Sequence, residues 1–318
     1  MPDPSPQRPH PVLLAGAIAV MVVSWTLNFI VVKVALRYFT PWMLAAFRVE
    51  LSALILLPIY LVFGARARAA AGKKLFDRHD FWTFGCLAVL GVCLNQVCFT
   101  IGLNYTTVGH SALIIGTGPI LILLLAWTQG LEALTAKKAA GMALAFAGVI
   151  VLAAEHGLSL HSSTLRGDLI TLTGSVAFVV YTVVGKKVAP RYDTLSMNTY
   201  NFLFAAILIL PLAVVQAARF ERQGGWTIVP WQGWAALGFI AAFASVASYL
   251  IYFWVLRYMA ASRLGAFSYV HPVTTTVMGI WLLGEKLTRS LLLGGGLVFL
   301  GIYLIESGRE AINSELTD

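Results

Sequence analysis

The chain has 318 residues, of which 59% are hydrophobic and 11% charged, with a mean hydropathy of +0.81 and a net charge of +8 at neutral pH. Soluble domains carry about 25% charge, so this chain has too little polar material to cover a water-facing surface. Its Lys and Arg are scattered through short polar segments, which is the pattern of cytoplasmic membrane-protein loops and not of a nucleic-acid surface.

A helix that crosses a bilayer needs about 20 mostly apolar residues. Ten such stretches are predicted, over 12–32, 42–63, 81–103, 110–129, 138–154, 167–184, 195–216, 232–255, 262–283 and 288–306. The proline-rich start, residues 1–11, is read as a disordered cytoplasmic leader, and 307–318 as a cytoplasmic tail. Cys86, Cys93 and Cys98 share one apolar run without CxxC or metal spacing, so they are read as small apolar fillers. With the N-terminus placed inside, fourteen Lys and Arg fall in cytoplasmic segments and seven outside, with Arg48 inside a span. Both termini are therefore expected in the cytoplasm.

The chain is also duplicated. Leu103, Tyr105, Pro119, Glu132 and Leu134-Thr135 recur 153 positions later as Leu256, Tyr258, Pro272, Glu285 and Leu287-Thr288. The same offset relates Gly85 to Gly238, Gly141 to Gly294 and Gly148 to Gly301. Residues 12–154 and 167–306 are thus two copies of one unit. Five spans per copy is an odd number, so the second copy enters the membrane from the opposite side. The predicted fold class is an all-α membrane protein of ten transmembrane helices, arranged as two inverted five-helix repeats around a central cavity. Such symmetry suits alternating access in a secondary transporter.

Several stretches resemble the EamA family of the drug/metabolite transporter superfamily. They are SWTLNFIVVKVAL (24–36), FRVELSALILLP (47–58), LNYTTVGHSALIIGTGPILILLLAW (103–127) and the LGEKLT turn (283–288). The resemblance covers nearly all of 12–306. It implies a cavity built largely by the first, third, fourth, sixth, eighth and ninth spans, and transport, often export, of small metabolites such as amino acids. It also implies the inner membrane of a bacterial cell. The residue before the repeated proline differs between the copies, being Gly118 in one and His271 in the other.

Pro119 and Pro272 lie near the middle of their spans, where each removes a backbone bond and crowds the carbonyl of Ile115 or Ser268. They are read as kinks that either shape and gate a cavity or serve packing alone. Ionisable groups at membrane depth usually face the interior. His271 is therefore a candidate for binding substrate or a proton, against the plainer reading of a neutral histidine satisfied by a neighbouring helix. His110, near the outer end of the fourth span, is read as interfacial. Trp25 and Asn28 on the first span, Asn95-Gln96 on the third, and Thr117, Tyr181, Tyr249, Tyr252 and Tyr269 suggest an aromatic-walled pocket with a few hydrogen-bonding groups. Such a pocket suits a small uncharged or zwitterionic substrate. Helix packing is the alternative for each. Arg48, in the second span, either snorkels, pairs with another helix or draws anions to the outer vestibule.

No P-loop, HExxH, GxSxG or paired intramembrane aspartate is present. No enzyme, metal or cofactor is expected. The partners expected are a small-molecule substrate, the lipid bilayer and protons as a candidate coupling ion, with no nucleic acid, in a monomer or weak dimer. A channel-like facilitator, or an exporter of nucleosides, sugars or amphipathic drugs, is the alternative.

Overall fold

A computed structural model describes residues 9–71, 76–128, 135–153, 163–258, 264, 267–284 and 286–315, with some side chains within these ranges, those of Tyr269 and Pro272 among them, outside the description. No strand occurs among the described residues. Where they are described, the ten predicted stretches are mostly helical, with a turn at Thr117 in the fourth and a 3₁₀ segment at Phe267–Tyr269 in the ninth. The leader up to residue 8, and the repeated Glu132 and Glu285, lie outside the described residues.

Helices α1 (Pro11–Ala35) and α2 (Pro41–Ala71) are followed by α3, which runs over 81–105. The fourth predicted span is split into α4 (Val108–Gly116) and α5 (Gly118–Thr128), and α6 is Ala136–Ala153. The second half holds α7 (Ser163–Val188), α8 (Thr194–Arg222), a single turn α9 (Gly225–Ile228) and α10 over 231–256. A 3₁₀ turn at Phe267–Tyr269 leads into α11 (Val270–Leu283), and α12 is Arg289–Glu315.

Seven helical stretches among the described residues are long and apolar enough to cross a membrane. They are Pro11–Ala35, Pro41–Ala69, Arg78–Tyr105, Val108–Leu125, Thr164–Val188, Thr194–Arg222 and Trp231–Leu256. The apolar parts of α6 and α12, Ala139–Gly148 and Arg289–Gly301, are shorter. Apolar side chains also face outward in number. Leu54, Leu61, Ile207 and Leu292 are all more than half exposed, which a water-facing surface would not sustain at this density.

Equivalent devices recur in the two halves. Thr40 and Asp193, 153 positions apart, cap α2 and α8 by accepting from Met43 N (3.3 Å) and Ser196 N (3.0 Å). Pro58 and Pro211 sit at equivalent points within those two helices. α3 and α10 each contain a π-helical segment, Ala88–Leu94 and Ile240–Ala247, again in register. A π segment widens the helix by one residue per turn and is commonly found at functional sites.

The repeated proline acts differently from the expected mid-helix kink. The fourth span stops at Gly116, turns at Thr117 and restarts at Gly118, so Pro119 occupies the first turn of α5, where a missing N–H costs nothing. Thr117 makes the joint: its hydroxyl donates to Ile114 O (2.7 Å) and its carbonyl accepts from Ile120 N (2.9 Å). In the second half a 3₁₀ turn at Phe267–Tyr269 precedes α11, and Pro272 is the third residue of that helix.

Candidate functional site

A cavity lies between α1, α3, α4, α5, α7, α10 and the 3₁₀–α11 stretch, with one residue from α2. It holds about 820 Å³ of space free of protein atoms, counting the part open to solvent. Five pairs of lining residues are related by the 153-residue offset: Trp25 with Phe178, Gln96 with Tyr249, Phe99 with Tyr252, Ile115 with Ser268, and Gly118 with His271. The two halves thus place equivalent backbone positions around one space and fill them with different side chains.

The aromatic wall is held by edge contacts. Trp25 stands edge-on to Phe178 (ring centroids 6.0 Å apart) and to Tyr249 (6.2 Å), and it tilts against Tyr252 (5.5 Å). The π segments supply the polar anchors. Trp25 Nε1 donates to Ala244 O (3.0 Å), and Tyr249 OH donates to Gly91 O (3.0 Å). Gly91 and Ala244 are themselves 153 positions apart. Each π segment therefore offers one carbonyl, at the equivalent position, to an aromatic side chain of the cavity. Asn95 Nδ2 donates to Gly174 O (3.0 Å), and Asn95 Oδ1 accepts from Tyr249 OH (3.3 Å). Tyr252 OH pairs with Thr182 Oγ1 (2.8 Å).

His271 is 2% exposed and lies at the cavity wall. Its Nδ1 shares a hydrogen bond with Thr26 Oγ1 (3.0 Å), and its carbonyl accepts from the hydroxyls of Thr274 (3.3 Å) and Thr275. Trp25 and Phe29 flank the ring at 6.3 and 6.2 Å. One nitrogen is thus held by a neutral hydroxyl, with no carboxylate bonded to the ring among the described residues.

Of the residues singled out from sequence, Trp25, Asn28, Asn95, Gln96, Pro119, Tyr249, Tyr252 and His271 line this one cavity. Thr117 and Tyr181 do not. Thr117 is committed to the helix joint, and Tyr181 is fully buried in the hydrophobic core, its OH accepting from Asn201 Nδ2 (3.3 Å). The side chains of Tyr269 and Pro272 lie outside the description. Phe99 and Phe178 belong to the wall and were findable, being the repeat partners of Tyr252 and Trp25. Ser175 and Arg48 also line it, and for Arg48 the signal was a charge inside an apolar span. His110, in the first turn of α4, is packed inside the protein. It is 2% exposed, and its Nδ1 lies 3.2 Å from Asp168 Oδ2, while Thr106 Oγ1 donates to Asp168 Oδ1 at 2.5 Å. Among the described residues no group of His, Cys, Asp and Glu is arranged to hold a metal.

These features define a multi-pass helical membrane protein with one cavity walled by residues of both halves. The chain belongs to the EamA-like transporter family, which it matches over residues 13–154 and 165–307. It is 27% identical over 288 residues to an uncharacterized transporter of Archaeoglobus fulgidus, covering 90% of this chain and 95% of that one. The uncharacterized transporter YyaM of Bacillus subtilis is 28% identical over 277 residues (86% and 87% covered). The uncharacterized inner membrane transporter YedA of Escherichia coli K12 is 21% identical over 298 residues (93% and 91%). A solved crystal structure shares the fold, with a TM-score of 0.61 over 92% of this chain and 96% of its own at 17% identity.

Proposed function

We propose that the chain is a secondary transporter that exports a small metabolite, an amino acid or similar zwitterion, by alternating access. Ten spans form two inverted five-helix repeats, residues 12–154 and 167–306, in the inner membrane of a bacterial cell with both termini in the cytoplasm. It works as a monomer or weak dimer. The observation that carries this reading is the cavity wall itself, where five pairs of positions related by the repeat offset face one space. A two-fold axis in the membrane plane through that space would let the two halves exchange conformations and offer the site to each side in turn.

In this reading the aromatic wall takes the apolar body of the substrate, and Asn28, Asn95 and Gln96 meet its polar groups. His271 is the proton site, because imidazole is the side chain whose ordinary pKa, about 6.5, lies nearest neutrality. Counterflow in proteoliposomes tests the proposal, with labelled aromatic and small aliphatic amino acids over about pH 5.5–8. Saturable exchange that changes with pH is expected. Flux that never saturates would replace the carrier with a channel-like facilitator. Absence of exchange with every amino acid would move the search to nucleosides, sugars and amphipathic drugs.

A further inference from the structure

Arg48 is the one permanently charged side chain among the described residues lining the cavity. It stands on α2, 3% exposed, and its Nε donates to Ser245 Oγ (2.8 Å) on the π segment of α10. Its Nη1 is buried and has no hydrogen-bond partner among the described residues. A guanidinium keeps its proton in proteins, and a buried charge without a counter-charge is strongly disfavoured. The described ion pairs of Asp77, Asp80 and Asp168 are all made elsewhere. Glu50 is two positions away on the same helix, a spacing that does not face it toward Arg48.

Other polar groups of the wall include the neutral amides of Gln96 and Asn28, and the Asn28 oxygen has no hydrogen-bond partner among the described residues. The rest of the wall is largely aromatic or aliphatic. A site with one fixed cation, a few neutral amide groups and a broad apolar wall is complementary to an anion with one charge and an apolar body. The flat guanidinium fork matches a carboxylate. We infer that Arg48 is the carboxylate-binding group of this cavity and that the substrate is a small monocarboxylate with an apolar body. The inference rests on the carrier reading above for the meaning of the cavity. An amino acid and a carboxylate without an ammonium group share this chemistry, and Asn28 Oδ1 and Gln96 Oε1 are the acceptors an ammonium would use.

The test compares L-phenylalanine, phenylpyruvate and L-phenylalaninamide, which differ in carboxylate and ammonium and share one body. Binding to the full chain in lipid nanodiscs is read by tryptophan fluorescence, and exchange by counterflow. Wild type should bind one or both acids at least about thirtyfold more tightly than the amide, the loss typical of removing one partner of a buried charge pair. Whether L-phenylalanine or phenylpyruvate binds more tightly shows whether an ammonium is read. Arg48→Gln should lose that preference, and Ser245→Ala should keep it, because the guanidinium remains. Equal binding of acid and amide by the wild type overturns the inference whether or not Arg48→Gln folds. So does Arg48→Gln binding the acids as wild type does, or Ser245→Ala losing the preference as fully as Arg48→Gln, which would reduce Arg48 to a tether between α2 and α10. Exchange undiminished in Arg48→Gln removes the inference and leaves the carrier. Arg48-dependent binding without exchange of any probe removes the carrier and leaves the carboxylate site.

Discussion

Gly148 on α6 lies against Gly294 on α12 so closely that a Cβ added at Gly148 would stand 2.5 Å from the Gly294 carbonyl oxygen. The contact has a counterpart, since a Cβ at Gly301 would strike the Gly141 carbonyl. Gly141 and Gly294 are repeat partners, as are Gly148 and Gly301. Residue i of one helix thus meets residue j of the other, and j meets i, which is the signature of a two-fold contact between antiparallel helices. Small residues let backbones approach where no hydrophobic drive pulls helices together in lipid.

Filling this contact should separate the helices. Gly148→Leu and Gly301→Leu are each expected to cost about 1–3 kcal/mol or more, as overpacking does, and to lower the thermal midpoint by similar amounts. Gly296→Leu, on the same helix with nothing within 4 Å of the added Cβ, should leave the midpoint nearly unchanged. Thermal melting of the detergent-solubilised protein measures all three.

The Asp168 carboxylate joins the 106–110 segment to α7 through Thr106 and His110, with side chains only 3–4% exposed at the His–Asp pair. Asp168→Ala removes the carboxylate that Thr106 and His110 share and should cost about 1–3 kcal/mol. Asp168→Asn keeps an acceptor for Thr106 and should cost less. The same melting assay ranks the two, and equal midpoints for Asp168→Ala and wild type would show that the pair does not hold these segments together.

Trp25 and Tyr249 hang from equivalent carbonyls of the two π segments. Tyr249→Phe and Trp25→Phe each remove one donor and should cost about 0.5–1.5 kcal/mol of stability. They should weaken substrate affinity more than fold, because both rings form the cavity wall. Measured affinities that match wild type would show that the carbonyl anchors serve packing alone.

His271→Ala should abolish exchange and its pH dependence together. Thr26→Val leaves the imidazole in place without its 3.0 Å partner, so it should slow exchange without removing the pH dependence. Initial rates of counterflow across the pH range separate the two variants. Full activity with intact pH dependence in His271→Ala would take the proton role away from this residue.

Much of the fold was legible because lipid leaves the chain few choices. Apolar stretches of bilayer length must be helices, and duplicated residues expose the repeat. The cavity was half legible: polar and aromatic residues inside apolar spans marked Trp25, Asn95, Gln96, Tyr252 and His271, and the repeat offset pointed from Trp25 to Phe178 and from Tyr252 to Phe99. The π segments were not legible, because the sequences AVLGVCL and IAAFASVA carry no local signal that separates π from α helix. Nor does helical periodicity tell which face of the sixth span looks inward. Phe178 faces the cavity while Tyr181, three residues on, turns into the core.

Alternating access requires one cavity to be offered to the two sides of the membrane in turn. Ser175, at the cavity wall, replaced by cysteine in a background lacking Cys86, Cys93 and Cys98, reports this directly. A membrane-impermeant maleimide is applied to intact cells and to inside-out vesicles, with and without a substrate shown to exchange. Alternating access predicts labelling from both sides, with substrate raising it on one side and lowering it on the other. Labelling that stays confined to one side, or that substrate leaves unchanged on both, would rule out alternating access through this cavity.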